Sequence, residues 1–137
     1  MSLKKTGDRI SKEAVAIAKE VDHPVVYLYV DKENERYSAD SKMALDVMQR
    51  IAPFWFDRFT FFYVEHGPLD QKVFLEKKLD HGITWDKVPS LSVVTPKGTA
   101  YPIPETVNLG DPVTAQRIME EHLLNFTKGI LPRPERL

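Results

Sequence analysis

The chain is expected to fold as one α/β domain around a single sheet, for three reasons. Helical and strand-like segments alternate along it, the six residues from Val25 to Val30 are continuously apolar and β-branched or aromatic, and three of its helical segments carry an apolar face. Its 137 residues make one ordinary domain, able to bury roughly two-thirds of the surface of the unfolded chain.

Ser11 is placed to cap a first helix to about Val21, with Ala14, Val15, Ile17, Ala18 and Val21 on its apolar side. His23-Pro24 breaks it. Val25 to Val30, unbroken by polar residues, has the pattern of a strand buried on both faces. Asp31 to Asp40 reads as a polar loop, and a second helix is expected from Asp40 or Ser41, with Met43, Ala44, Val47, Met48 and Ile51 on one face. Pro53 ends or kinks it.

Phe59 to Val64 is expected to be a second buried strand, closed by Gly67-Pro68. Gln71 to Asp80 reads as a short helix with Gly82 at its C-terminal stop, and Lys72, Lys77 and Lys78 as its outer face. Ser90 to Thr95 is a third strand. Thr99 to Ile103 is its hairpin partner, and Pro102 and Pro104 demand an edge position because neither can donate to a ladder. Asp111-Pro112 signals the start of a last helix carrying Ala115, Ile118, Met119, His122, Leu123 and Phe126. Gly129 stops it. The expected organisation is a flexible N-terminus or cloning scar over 1–10, the domain over 11–129 and a Pro-rich exit linker over 130–137.

Several kinds of chemistry are excluded by composition. With no cysteine there is no disulfide, thiolate nucleophile or Cys-x-x-Cys redox pair. Nineteen basic against twenty acidic residues give a net charge of −1, no field for nucleic acid. No apolar run reaches the roughly 18 residues of a membrane span, so no membrane insertion by this segment is expected. His23, His66, His81 and His122 have unrelated spacings, so neither a metal nor a catalytic residue is assigned, and His122 reads as a boundary residue. No glycine-rich phosphate loop or nucleophile elbow is present, and no cofactor is expected. Asn125-Phe126-Thr127 matches a glycosylation acceptor but falls within a helix.

Seven of the fourteen aromatic residues fall between Phe54 and Tyr63. Side chains alternate in direction along a strand, so one or two of these should reach solvent and form a contact patch.

The stretch from Lys77 to Val94 ends a helix at Gly82 and opens an apolar strand at Pro89, with a hairpin after it. This resembles the thioredoxin fold, which places a cis-proline after a hydrophobic residue at that point. The resemblance extends from Ser11 to Phe126 and implies a central mixed sheet of about four to five strands flanked by about four helices. The ending Thr114-Ala115-Gln116-Arg117-Ile118, then Phe126, Gly129 and Pro132, is similar to that of non-catalytic, b′-type domains of the protein disulfide isomerase family. Redox-active relatives carry Cys-x-x-Cys where this chain has Asp31 to Ser41, and a buried acid where it has Tyr27. Without a thiolate there is no thiol–disulfide exchange.

The resemblance therefore implies a domain with no enzyme activity, in the endoplasmic reticulum lumen, within a larger isomerase-like protein. Its partners would be unfolded or peptide clients, or neighbouring domains. Its ligand site would comprise Tyr37, Met43, Val47, Phe74, Trp85, Val88 and Pro89. The alternative is an interaction scaffold whose contact surface is the Phe54-Trp55-Phe56 corner.

Overall fold

The computed structural model describes residues 12–66, 71–81, 83, 87–103, 109 and 111–129. Ser11, Gly82, Trp85, Pro104 and the two terminal segments named above lie outside the described residues.

The chain runs α1 (Lys12–Val21), β1 (Val25–Val30), α2 (Glu35–Ile51), a 3-10 turn (Ala52–Phe54), β2 (Thr60–Glu65), α3 (Gln71–Asp80), β3 (Ser90–Val94), β4 (Ala100–Pro102) and α4 (Pro112–Thr127). The strands form one mixed sheet in the order β2-β1-β3-β4. β1 lies parallel to β2 and antiparallel to β3, with Val25 opposite both Thr60 and Val94. β3 and β4 form the antiparallel hairpin. All six β1 residues are buried, as the unbroken apolar run requires of an inner strand. β4 sits at an edge, where Pro102 withholds no donor from a neighbour.

Each face of the sheet has its own core. Val26, Leu28, Val30, Leu91 and Val93 pack against Ala44, Leu45, Val47, Met48 and Ile51 of α2 and Ala115, Met119 and Leu123 of α4. On the other face Val25, Tyr27, Tyr29, Val94 and Ala100 meet Ala18 of α1 and Phe74 of α3. Alternation along the strands sorts residues between the two.

Five expectations need correction. The segment read as a loop up to Asp40 already belongs to α2, which starts at Glu35. Asn34 caps it, its side-chain oxygen accepting from Arg36 N at 2.9 Å. Asn34→Ala is expected to cost about 1 kcal/mol in urea unfolding, the usual loss when a capping acceptor goes.

Among the described residues β2 is the outermost strand, and it is only partly buried, not the buried strand expected. Phe54, Phe56, Phe62 and Tyr63 are all exposed, more than the one or two expected: Phe54 and Phe56 lie in the turns ahead of β2, and among the described residues β2 has a neighbouring strand on one side only. Lys78 is fully buried instead of outward-facing, its ammonium donating to the Lys87 carbonyl at 3.2 Å. His122 is buried too, its Nε2 bonded to the Tyr101 carbonyl of β4 at 2.8 Å.

The helix ends follow local chemistry. Asp22, at φ 58°, takes the left-handed position just after α1, a conformation aspartate tolerates better than most residues. Asp111 caps α4, its carboxylate accepting from Thr114 N at 2.9 Å, with Pro112 at the first helical position. Gly129, at φ 71°, ends it.

Candidate functional site

The inner strand β1 delivers Asp31 to the C-terminal end of the sheet, where ligands of α/β folds bind. Asp31 is buried and organises the turn into α2. Its Oδ1 accepts from Glu33 N and Asn34 N, both at 3.1 Å, and its own N–H donates to the Ser41 hydroxyl at 3.0 Å. Oδ2 lies 3.8 Å from His66 Nδ1, just beyond β2. A second tie joins the same two strand ends, Lys32 to Glu65 at 3.4 Å. The start of α2 is thereby held over the end of β1, and Tyr37 reaches the core on the α3 side.

A cavity of about 260 Å³ opens there, lined by Asp31, Asn34, Arg36, Tyr37, Phe74, Leu75 and Val88. Phe74 forms its floor, held edge-on by Tyr29 at 5.7 Å and His66 at 4.9 Å between ring centres. The Arg36 guanidinium stands 5.4 Å from the centre of the Tyr37 ring. The Lys87 carbonyl accepts from both Lys78 Nζ and Ser90 Oγ, at 3.2 and 3.0 Å, which fixes the segment carrying Val88. The Val88–Pro89 peptide bond is cis.

Beneath the cavity, His81 is packed between two tyrosines. Its ring stacks on Tyr27 at 4.3 Å, and its Nδ1 is bonded to the Tyr29 hydroxyl. That hydroxyl has one proton, which goes to the Lys77 carbonyl at 3.0 Å. Nδ1 must therefore carry its own proton, which fixes the neutral tautomer. Burial, helped by the Lys77 charge, pushes the His81 pKa down to about 3. Tyr27, in the position the resemblance gave to a buried acid, is thus a stacking partner of the imidazole.

Of the residues expected at the site, Tyr37, Phe74 and Val88 line the cavity together. Pro89 is buried next to Val88 without lining it. Met43 is half-buried further along α2, and neither it nor Val47 lines the cavity. Val47 belongs to the opposite core, ten residues or roughly 15 Å of helix beyond Tyr37. Trp85 lies outside the described residues. Sequence reasoning missed Asp31, Asn34, Arg36 and Leu75. The signal for the first three was Asn34-Glu35, a capping residue followed by an acidic first turn; nothing local marked Leu75 of α3. At the alternative site Phe54 and Phe56 are 75% and 73% exposed, whereas Trp55 is buried against Phe59 with Arg58 over its ring. No group of three or more potential metal-ligating side chains occurs among the described residues.

No protein-family model and no curated protein matches the chain. Among solved structures it is similar to the disulphide isomerase of Xylella fastidiosa Temecula1, with 19% identity and a TM-score of 0.53. That match covers 87% of this chain and 86% of the isomerase. A malarial protein aligns at 14% identity and a TM-score of 0.47, over 74% of this chain and 98% of the other. The mixed four-stranded sheet flanked by helices, shared with the disulphide isomerase, makes this a thioredoxin-like fold.

Proposed function

We propose that the chain is a redox-inactive thioredoxin-like domain that binds extended, unfolded segments of client proteins at the end of β1. It would act within a larger disulfide isomerase-like protein of the endoplasmic reticulum lumen, with no catalysis of its own. The observation that carries this reading is the cavity bounded by Tyr37, Phe74 and Val88. At about 260 Å³ it falls just below the roughly 300–1,000 Å³ of small-molecule pockets. It suits one apolar side chain of a peptide, with the polar Asn34 and Arg36 placed for the peptide backbone. A client site of this type needs no thiol, and the chain has none.

The test is a titration of the ¹⁵N-labelled domain with a hydrophobic, aromatic-containing peptide. Saturable amide shifts are expected at Tyr37, Leu75 and Val88. Tyr37→Ala is expected to weaken binding about tenfold, equivalent to about 1.4 kcal/mol, and Phe54→Ser to leave it unchanged. Shifts centred on Phe54 and Phe56 instead, or none, would refute the cleft.

A further inference from the structure

The cavity at the end of β1 contains a buried acceptor that the fold leaves half used. Asp31 lines it and is 5% exposed. Its Oδ1 accepts from Glu33 N and Asn34 N, both at 3.1 Å, whereas among the described residues no group donates a hydrogen bond to Oδ2. The basic atom beside Oδ2 is His66 Nδ1 at 3.8 Å, too long for a hydrogen bond and charged only when protonated. Lys32, next in the chain, is taken up by Glu65 at 3.4 Å. Asp31 is therefore a carboxylate withdrawn from water without a fixed cation, an arrangement that costs stability until a partner arrives.

The surroundings decide the sign and shape of that partner. The head of α2 would attract an anion if its N–H groups were free, but they are spent. Arg36 N donates to the Asn34 side chain at 2.9 Å, and Tyr37 N and Ser38 N donate to the Asn34 carbonyl at 2.9 and 2.8 Å. The Arg36 guanidinium is the cation of the rim, exposed and therefore screened by solvent. Below it the walls are Tyr37, Phe74, Leu75 and Val88. Such walls suit an aliphatic stem, and the two rings favour a cation at its tip. With Oδ1 occupied, Asp31 offers one oxygen. That matches the point charge of an ammonium, whereas the fork of a guanidinium calls for both carboxylate oxygens.

We propose that the cavity selects a lysine side chain of the bound segment, its methylene stem against Phe74, Leu75 and Val88 and its ammonium donating to Asp31 Oδ2. This rests on the reading of the cavity as a client site and adds which residue of the client enters it. The walls that suit an apolar side chain suit the lysine stem equally, so the stem gives affinity without choice. The choice is made at the tip. Asp31 is already out of water in the free domain, so pairing requires only the ammonium to be desolvated, and it supplies the partner that the carboxylate lacks. The segment selected is thus an extended one with a lysine among apolar residues, its main chain running past Asn34 and Arg36 on the rim.

Peptides identical except for lysine, norleucine or arginine at one central position, flanked by apolar residues, test this in titrations of the ¹⁵N-labelled domain. N-terminal acetylation leaves the lysine side chain as the only ammonium, and norleucine keeps the stem without it. The lysine peptide is expected to bind about tenfold more tightly than the norleucine peptide, the gain of one charged hydrogen bond, and more tightly than the arginine peptide. The amides of Glu33 and Asn34, bonded to Asp31 Oδ1, should shift with lysine and not with norleucine. Asp31→Asn retains an Oδ1 acceptor for those two amides and removes the charge. With an unchanged circular dichroism spectrum, this variant should bind the lysine and norleucine peptides alike. Equal binding of lysine and norleucine at the native cleft, arginine binding as tightly as lysine, or a lysine preference that survives Asp31→Asn overturns the proposal and leaves the client cleft standing. No shifts at Tyr37, Leu75 and Val88 with any of the peptides overturns both. The comparison among peptides uses the native chain, so the test holds whether or not Asp31→Asn folds.

Discussion

Acidification from pH 6.5 to pH 4 is expected to remove about 3 kcal/mol of folding stability, through His81 alone. The imidazole is neutral in the fold, donating from Nδ1 to the Tyr29 hydroxyl and stacked on Tyr27. Protonation would place a charge in an apolar layer a short distance from the Lys77 ammonium, and its pKa falls from 6.5 to about 3. The unfolded chain takes up the proton first. Stability is fully present above pH 6.5 and declines with falling pH, until the folded state also protonates near pH 3. His122 works in the same direction, lowered by burial and partly restored by its bond to the Tyr101 carbonyl. The exposed Asp111 carboxyl, lowered by hydrogen bonds from Thr114, adds its loss only at more acid pH. Urea midpoints at pH 7, 6, 5 and 4, with constant m, measure the slope. His81→Phe keeps an aromatic ring on Tyr27 and leaves the Tyr29–Lys77 bond in place, so most of the slope should vanish in that variant. A wild-type midpoint that does not move between pH 6.5 and 4 would show that the imidazole is solvated or already charged.

His81 also marks the limit of what could be read from sequence. Signals made within a few residues were legible. The six apolar residues from Val25 gave the inner strand, Asp111-Pro112 the start of α4, and Pro102 the edge position of β4. Others needed partners far along the chain. Lys78 looks outward-facing until the Lys87 carbonyl is brought to it, and His81 looks like a helix-end residue until Tyr27 and Tyr29 enclose it. The start of α2 was hidden differently. Lys32, Glu33, Glu35 and Arg36 surround Asn34 with charge, and the stretch reads as a solvated loop. The cap is local, but its competitor, a charged turn, has the same composition. Reading the helix start too late left Arg36 in a loop and hid the capping role of Asn34, while the resemblance supplied Tyr37, Phe74 and Val88. The cavity needs both groups, because the polar residues hold the end of α2 above Phe74.

Phe59→Ala is expected to cost about 3–5 kcal/mol, whereas Phe62→Ala should cost less than about 1 kcal/mol. Composition does not separate the two: both lie in one aromatic run and look equally apolar. Phe59 is 1% exposed, and its ring meets Trp55 at 5.9 Å, Phe61 at 6.3 Å and Phe126 at 5.7 Å. It ties the segment leading into β2 to α4, so truncation opens a cavity that three rings border but cannot easily fill. Phe62, stacked on Tyr27 at 5.8 Å, is 41% exposed on a strand with one neighbour among the described residues, so water can replace what is lost. Urea unfolding of the two variants reads the difference directly. A loss at Phe62 equal to that at Phe59 would mean that the outer side of β2 is covered in solution. Repeating the measurement at increasing protein concentration then identifies the cover. A cost at Phe62 that grows with concentration belongs to an assembly that the variant can no longer form. A cost independent of concentration comes from within a single chain. The contrast thus measures a core contact at Phe59 and the state of the sheet edge at Phe62.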